Sequence, residues 1–252
     1  MHVTTEPAIF YLGTPVVLVS TQNPDGSTNI APMSSAWWLG WSCMLGLDAS
    51  SRTTENLRRT RECVLNLPAA DAAALVDRLA LLTGSDPVPL HKVMLGYRYS
   101  ADKLAESGFT PMASCEVKPA RIAECPIQLE ARVVSVRPLA KDDPRMGVPA
   151  CAIEVRIVRA HVEEALLDRP GGRRIDPDKW KPLIMSFRRL YAIGEEVGLS
   201  RLAQGPEAKY APWRSRGPNR LIGMVYRRWA QRKYADRSDA ETVEGLEDLV
   251  GE

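Results

Sequence analysis

The sequence predicts a mainly β fold: an antiparallel sheet closed or split into a barrel, with peripheral helices and a C-terminal extension. Three observations predict it. Short β-branched and apolar runs outnumber the stretches with helical spacing. These runs follow one another through hairpin turns. Nowhere does a strand pass through a glycine-rich phosphate loop into a helix and back to a parallel strand, as a doubly wound nucleotide fold requires. With 252 residues, a quarter of them charged, the chain is expected to form one globular domain over residues 1–199 and an extension over 200–252.

The elements follow in order. Residues 15–21 are a β-branched run closed by Asn23-Pro24-Asp25-Gly26 and followed by a second short run, 27–31, which together read as a hairpin. Residues 37–47 carry Trp37, Trp38 and Trp41, and their second half, 43–47, reads as a buried strand. A short charged helix over 54–60 leads into another strand at 63–67. Alanines, leucines and a valine with helical spacing over 69–82 predict a helix on the outside of the sheet, ended by the segment from Gly84 to Pro89. Alternation over 128–136 and again over 152–158 predicts two long antiparallel strands. A turn at Pro170-Gly171-Gly172 and an apolar run at 182–185 precede a tail in which Pro206, Pro212 and Pro218 break any long element. No internal repeat is visible.

A net charge of +2 points to neither nucleic acid nor an anionic membrane as partner. No apolar run approaches the ~20 residues that span a bilayer, and the N-terminus lacks the basic-then-apolar order of a signal peptide, so the expected location is cytoplasmic. The five cysteines, Cys43, Cys63, Cys115, Cys125 and Cys151, occur singly and are expected to be buried free thiols. His2, His91 and His161 lie far apart. A metal site would therefore have to be assembled entirely by the fold, and none is expected.

Two segments carry chemistry. Ser50-Ser51-Arg52-Thr53-Thr54-Glu55-Asn56 brings hydroxyls and a guanidinium to a helix start, where free N–H groups and the positive end of the dipole favour a phosphate. Taken alone, a Ser or Thr before a helix is more often only a cap. Just upstream, Asn29-Ile30-Ala31-Pro32-Met33-Ser34-Ser35 runs from a strand end into a proline turn whose backbone groups can face a planar heterocycle.

Joined in order with Pro15-Val16, Val64-Leu65-Asn66, residues 106–111, 120–130 and 175–177, and residues 182–194, these segments resemble the flavin-reductase-like, FMN-binding split barrels that include flavoredoxins. The resemblance implies an FMN-binding split β-barrel. It places Ala31, Pro32, Met33, Ser34 and Ser35 along the isoalloxazine ring, and Ser51, Arg52, Thr54 and Asn56 around the ribityl phosphate. It further implies a homodimer with flavin at the interface, to which residues 121–126 of the second subunit contribute; the alternative for that segment is a strand bend whose cysteine simply packs. The activity implied is hydride transfer from NAD(P)H to flavin, with no side-chain acid or base required. The alternatives are a non-enzymatic FMN electron carrier or an oxidoreductase acting on an organic substrate. Where some short flavin reductases carry a strand histidine, this chain has Gly147-Val148-Pro149-Ala150-Cys151-Ala152, and His161, beyond that stretch, reads as an interfacial or surface residue. In the tail, Trp213-Arg214-Ser215-Arg216 and residues 226–233 interleave aromatics with cations, a pattern suited to stacking on bases or binding phosphates and equally to packing on the protein itself.

Overall fold

In the computed structural model, which describes residues 1–198 together with 200, 225, 228, 229 and 232, the predicted hairpins form. After β1 (Leu12–Pro15), β2 (Val17–Gln22) pairs with β3 (Thr28–Met33) from Val17↔Met33 to Gln22↔Thr28. The Asp25 carboxylate accepts from the Ser27 backbone N–H at 2.9 Å, and Gly26 takes φ +89°, a conformation that favours glycine. The tryptophan segment makes a second hairpin, β4 (Ala36–Leu39) and β5 (Ser42–Asp48), so both its halves are strands. Next come α1 (Arg52–Thr60) and β6 (Glu62–Leu67).

The helix predicted over 69–82 is shorter than its apolar spacing suggests. A 3-10 turn at Ala70–Ala72 leads into α2 (Ala73–Asp77), after which i→i+3 hydrogen bonds tighten the chain, with Leu79 N–H reaching the Val76 carbonyl and Leu82 N–H that of Leu79. Tightening drops Leu79 and Leu82 into the same apolar cluster as Val76, and this burial outweighs continuation of the helix. The middle of the chain holds β7 (Leu82–Thr83), α3 (Leu90–Met94), β8 (Arg98–Tyr99), α4 (Lys103–Ser107), β9 (Pro111–Met112) and β10 (Arg121–Ile122). The two long strands follow, β11 (Ile127–Leu139) and β12 (Ala150–Val162), then the hairpin β13 (Leu183–Ser186) and β14 (Arg189–Ala192).

Seven strands form one antiparallel sheet in the order β3-β2-β6-β11-β12-β5-β4. Alternate residues of each strand, among them Val19, Leu45, Leu65, Val133 and Ile153, meet with Leu57 of α1 in a single cluster. Because strands from both ends of the order supply it, with Met33 from β3 and Ala36 from β4, the sheet curls on itself into a barrel. A second cluster covers the outer face of β2 and β3: Leu18 and Ile30 pack beneath Val76, Leu79, Phe109, Ile122 and Leu183. That covering layer also builds one wall of the site described below.

Cys43, Cys63, Cys125 and Cys151 are buried, and burial pushes the Cys43 thiol up to about 12 and those of Cys63 and Cys125 higher still. Cys115 departs from the expectation, being exposed on the loop before β10, outside the sheet. The chain divides into two units, Met1–Glu196 and Val197–Glu252. In the second, Val225, Arg228, Trp229 and Arg232 are helical, while Trp213-Arg214-Ser215-Arg216 and the three tail prolines lie outside the described residues. No helix among the described residues is long and apolar enough to cross a membrane.

Candidate functional site

The start of α1 is fixed by its own residues. Ser51 is the N-cap, its hydroxyl accepting from Thr54 N–H at 3.1 Å. Thr54 is fully buried and donates through Oγ1 to the Asp48 carbonyl at 2.8 Å, which ties the helix to the end of β5. Arg52 turns outward, donating through Nε to the Gly84 carbonyl at 2.8 Å and pairing with Glu55 at 2.7 Å. Gly84 is held so close that a Cβ there would lie 2.7 Å from Asn29 Oδ1 and 3.2 Å from Arg52 Cγ. Only glycine lets these segments meet without a shift.

Between the helix start, the Ala31-Pro32-Met33 strand end and the 79–103 segment lies a cavity of about 300 Å³. A second cavity of about 230 Å³, lined by Asn23, Thr28 and Asn29 among others, adjoins it, and both share Arg52, Gly84 and Lys103. The larger one is apolar along Ala31, Pro32, Met33 and Leu47. The shared region is cationic. Lys103, the first residue of α4, is only 5 % exposed, and among the described residues its ammonium has no carboxylate partner. Burial, reinforced by the charge of Lys92, lowers it to about 8. Beside it, Asn29 donates through Nδ2 to Thr21 and Thr53 at 3.2 and 3.1 Å, but its buried Oδ1 has no hydrogen-bond partner among the described residues. An uncompensated buried cation and an unused buried acceptor are both costly unless a ligand meets them. The arrangement suits a molecule that is flat and apolar at one end and anionic at the other, with hydroxyls between.

Helix α3 and its flanks line one side of the larger cavity through His91, Lys92, Leu95 and Tyr97. Two contacts hold α3 to the barrel: His91 Nε2 lies 2.9 Å and Lys92 Nζ 3.1 Å from Asp48 Oδ2. Burial alone would raise Asp48, but hydrogen bonds from Ser50 and His91 and the charge of Lys92 outweigh it and hold the carboxyl down at about 2.

Of the residues singled out in the sequence, the fold brings Ala31, Pro32, Met33, Ser51 and Arg52 to one cavity. Ser34 and Ser35 continue from the same strand end: the Ser34 carbonyl accepts from Thr14 at 2.6 Å and that of Ser35 from Gly46 N–H at 2.8 Å. Thr54 and Asn56 face into the protein, Asn56 donating to Thr21 and Asn23 at 3.1 and 3.0 Å. Residues 121–126 are braced within their own chain, with Arg121 donating to Gln128 at 2.8 Å and Cys125 fully buried, and none of them lines either cavity. Sequence reasoning missed Lys103, Asn29 Oδ1, and the Asp48–His91–Lys92 cluster. Lys103 sits in a short helix start, where a lysine is ordinarily a solvated residue, and only the closure of α4 over β3 buries it.

A family model described as "Flavin reductase like domain" matches residues 10–194. A protein of Bacillus subtilis (strain 168), described as uncharacterized protein YdfE, is 40% identical over 194 residues, spanning 77% of this chain and 90% of its own length. Among solved structures, flavoredoxin of Desulfovibrio vulgaris (Miyazaki F) has a TM-score of 0.62 at 20% identity, with 81% of this chain and 100% of that chain covered. An FMN-binding domain of a flavin reductases-like enzyme from Shewanella baltica OS155 has a TM-score of 0.55 at 17% identity, covering 74% and 89%. At such identities the two structural likenesses establish the split-barrel fold.

Proposed function

The chain belongs to the flavin reductase like domain family, and on that premise we propose that it is an FMN-dependent oxidoreductase passing a hydride from NAD(P)H to flavin. The observation that carries this reading is Lys103, a buried ammonium beside Arg52 with no counter-ion among the described residues, at the cationic end of a cavity whose other end is apolar. A phosphate there meets both cations, and the unpartnered Asn29 Oδ1 offers an acceptor to a ribityl hydroxyl. The FMN-binding description of the Shewanella baltica relative supports the choice of FMN.

FMN supplies the two-electron chemistry when bound; the chain supplies binding, orientation and exclusion of water. In this reading Ala31, Pro32 and Met33 lie against the ring system, and Ser34 and Ser35 extend that edge toward its polar rim. Ser51 and Arg52 take the phosphate together with Lys103, while Thr54 and Asn56 keep the helix start in position through their inward hydrogen bonds. The segment around α3, fastened at Asp48, supplies one wall of the larger cavity. We further propose a cytoplasmic homodimer.

The test is an equilibrium titration of the purified protein with FMN, followed by flavin fluorescence, and then anaerobic addition of NADH or NADPH. Saturable binding with bleaching of the flavin is expected. Binding without bleaching favours an electron carrier or another reductant, and absence of binding overturns the proposal.

A further inference from the structure

Away from both cavities, the fold gathers a cysteine, a glutamate and a histidine that lie far apart in sequence. Glu130 and His161 stand on neighbouring strands, in a register that pairs Glu130 with Arg159 and Gln128 with His161, so the two are diagonal neighbours on one face. Cys115 comes from the loop before β10. One ligand atom from each residue, thiol sulfur, carboxylate oxygen and ring nitrogen, lies within 4.8 Å of the other two. We propose that Cys115, Glu130 and His161 form a binding site for one thiophilic divalent cation of the zinc class.

The residue types match such an ion. Tetrahedral zinc with bonds of about 2.0 Å to nitrogen or oxygen and about 2.3 Å to sulfur sets its ligand atoms roughly 3.3–3.6 Å apart. The widest separation here has to close by about 1 Å, and the His161 Nε2–Glu130 Oε1 contact of 2.6 Å has to open by slightly less. The closure falls to the side-chain torsion of Cys115, which is exposed on its loop, whereas Glu130 is fully buried. Glu130 is also oriented from behind. Its carboxylate accepts the backbone N–H groups of Cys115 at 2.9 Å and Val117 at 3.1 Å, along with that of Glu116, which aims the carboxylate and fixes the cysteine beside it. Charge balances as well, because a thiolate and a carboxylate offset a dication and the imidazole binds neutral. The cation takes the place of the hydrogen shared between His161 and Glu130. Arg159, opposite Glu130 in the strand register, is engaged by Glu116. With Cys115 facing solvent, a fourth position is left to water, and the ion clamps the 115–117 loop onto β11 and β12.

The experiment titrates the full chain with Co2+ under anaerobic, chelator-free conditions and then displaces it with Zn2+. It needs no flavin and is independent of the proposed function. One Co2+ per chain is expected, with near-ultraviolet thiolate charge transfer and intense visible bands of a four-coordinate ion, both abolished by stoichiometric Zn2+. Cys115→Ser keeps the backbone N–H groups that Glu130 needs. It is expected to retain its circular dichroism, lose the charge-transfer band and bind Zn2+ at least about tenfold more weakly; His161→Ala is expected to weaken binding similarly. At equal Zn2+ concentration the melting temperature of the wild type should rise more than that of either variant. Absence of a cobalt spectrum, or a spectrum unchanged in Cys115→Ser, overturns the assignment.

Discussion

Lys103 is a buried ammonium facing a cavity, and its titration has a definite sign. The unfolded chain holds this proton to its ordinary value of 10.5, the folded chain only to about 8. Between those values the unfolded state binds more protons, so the lysine's penalty fades as pH rises; below about 8 it applies in full, at most about 3 kcal/mol. Lys103→Met is therefore expected to raise the melting temperature of the flavin-free protein at about pH 7, with the gain shrinking toward about pH 10. The same variant should weaken FMN binding at least tenfold, roughly one lost charge-assisted hydrogen bond. A lower melting temperature at neutral pH would mean that the ammonium is already compensated. For Arg52, whose Nε is taken by Gly84 and whose Nη1 pairs with Glu55, Arg52→Ala should lower FMN affinity with far-UV dichroism unchanged. Equal affinity would remove it from the phosphate site.

Two elements set the shape of the cavity. The 82–85 segment passes so close to Arg52 and Asn29 that Gly84→Ala must push a Cβ into Asn29 Oδ1. A loss of about 1–3 kcal/mol, measured by denaturant unfolding, and weaker flavin binding are expected together. Helix α3 rests on Asp48 through His91 and Lys92. Since the folded value of Asp48 is held down near 2, its contribution is present above its ordinary 3.8 and is lost as pH falls toward about 2. Asp48→Asn removes the charge at any pH, and amide hydrogen exchange over residues 88–97 should then accelerate while β11 and β12 stay protected. Unchanged exchange in α3 would show that its apolar contacts suffice.

At the scale of the whole molecule, the hairpin of β4 and β5 leaves Trp37 58 %, Leu39 77 % and Trp41 47 % exposed. We take this group of exposed apolar side chains as the surface on which the proposed dimer would form. Light scattering is expected to give a dimer, and Trp41→Glu to shift it toward monomer; a monomeric wild type would contradict the proposed assembly.

The chain's local patterns determined a good deal without the structure. Alternation marked β11 and β12 and Asn23-Pro24-Asp25-Gly26 marked the first hairpin turn, because strand period and turn chemistry are written in neighbouring residues. The charged run over 54–60 marked α1, which begins two residues earlier at Arg52 because Ser51 is the residue that caps it. The ordered blocks from Pro15 onward were enough to find the family. What distance in sequence hides, the sequence left open. Helical spacing over 69–82 overstated α2, since the burial of Leu79 and Leu82 against β2 and β3 is a tertiary demand. Thr54 and Asn56 turn inward because their partners Asp48, Thr21 and Asn23 arrive from other elements. The burial of Lys103 and the meeting of Cys115, Glu130 and His161 depend likewise on which segments the barrel stacks together, and a side chain's solvation and charge partners are properties of that packing.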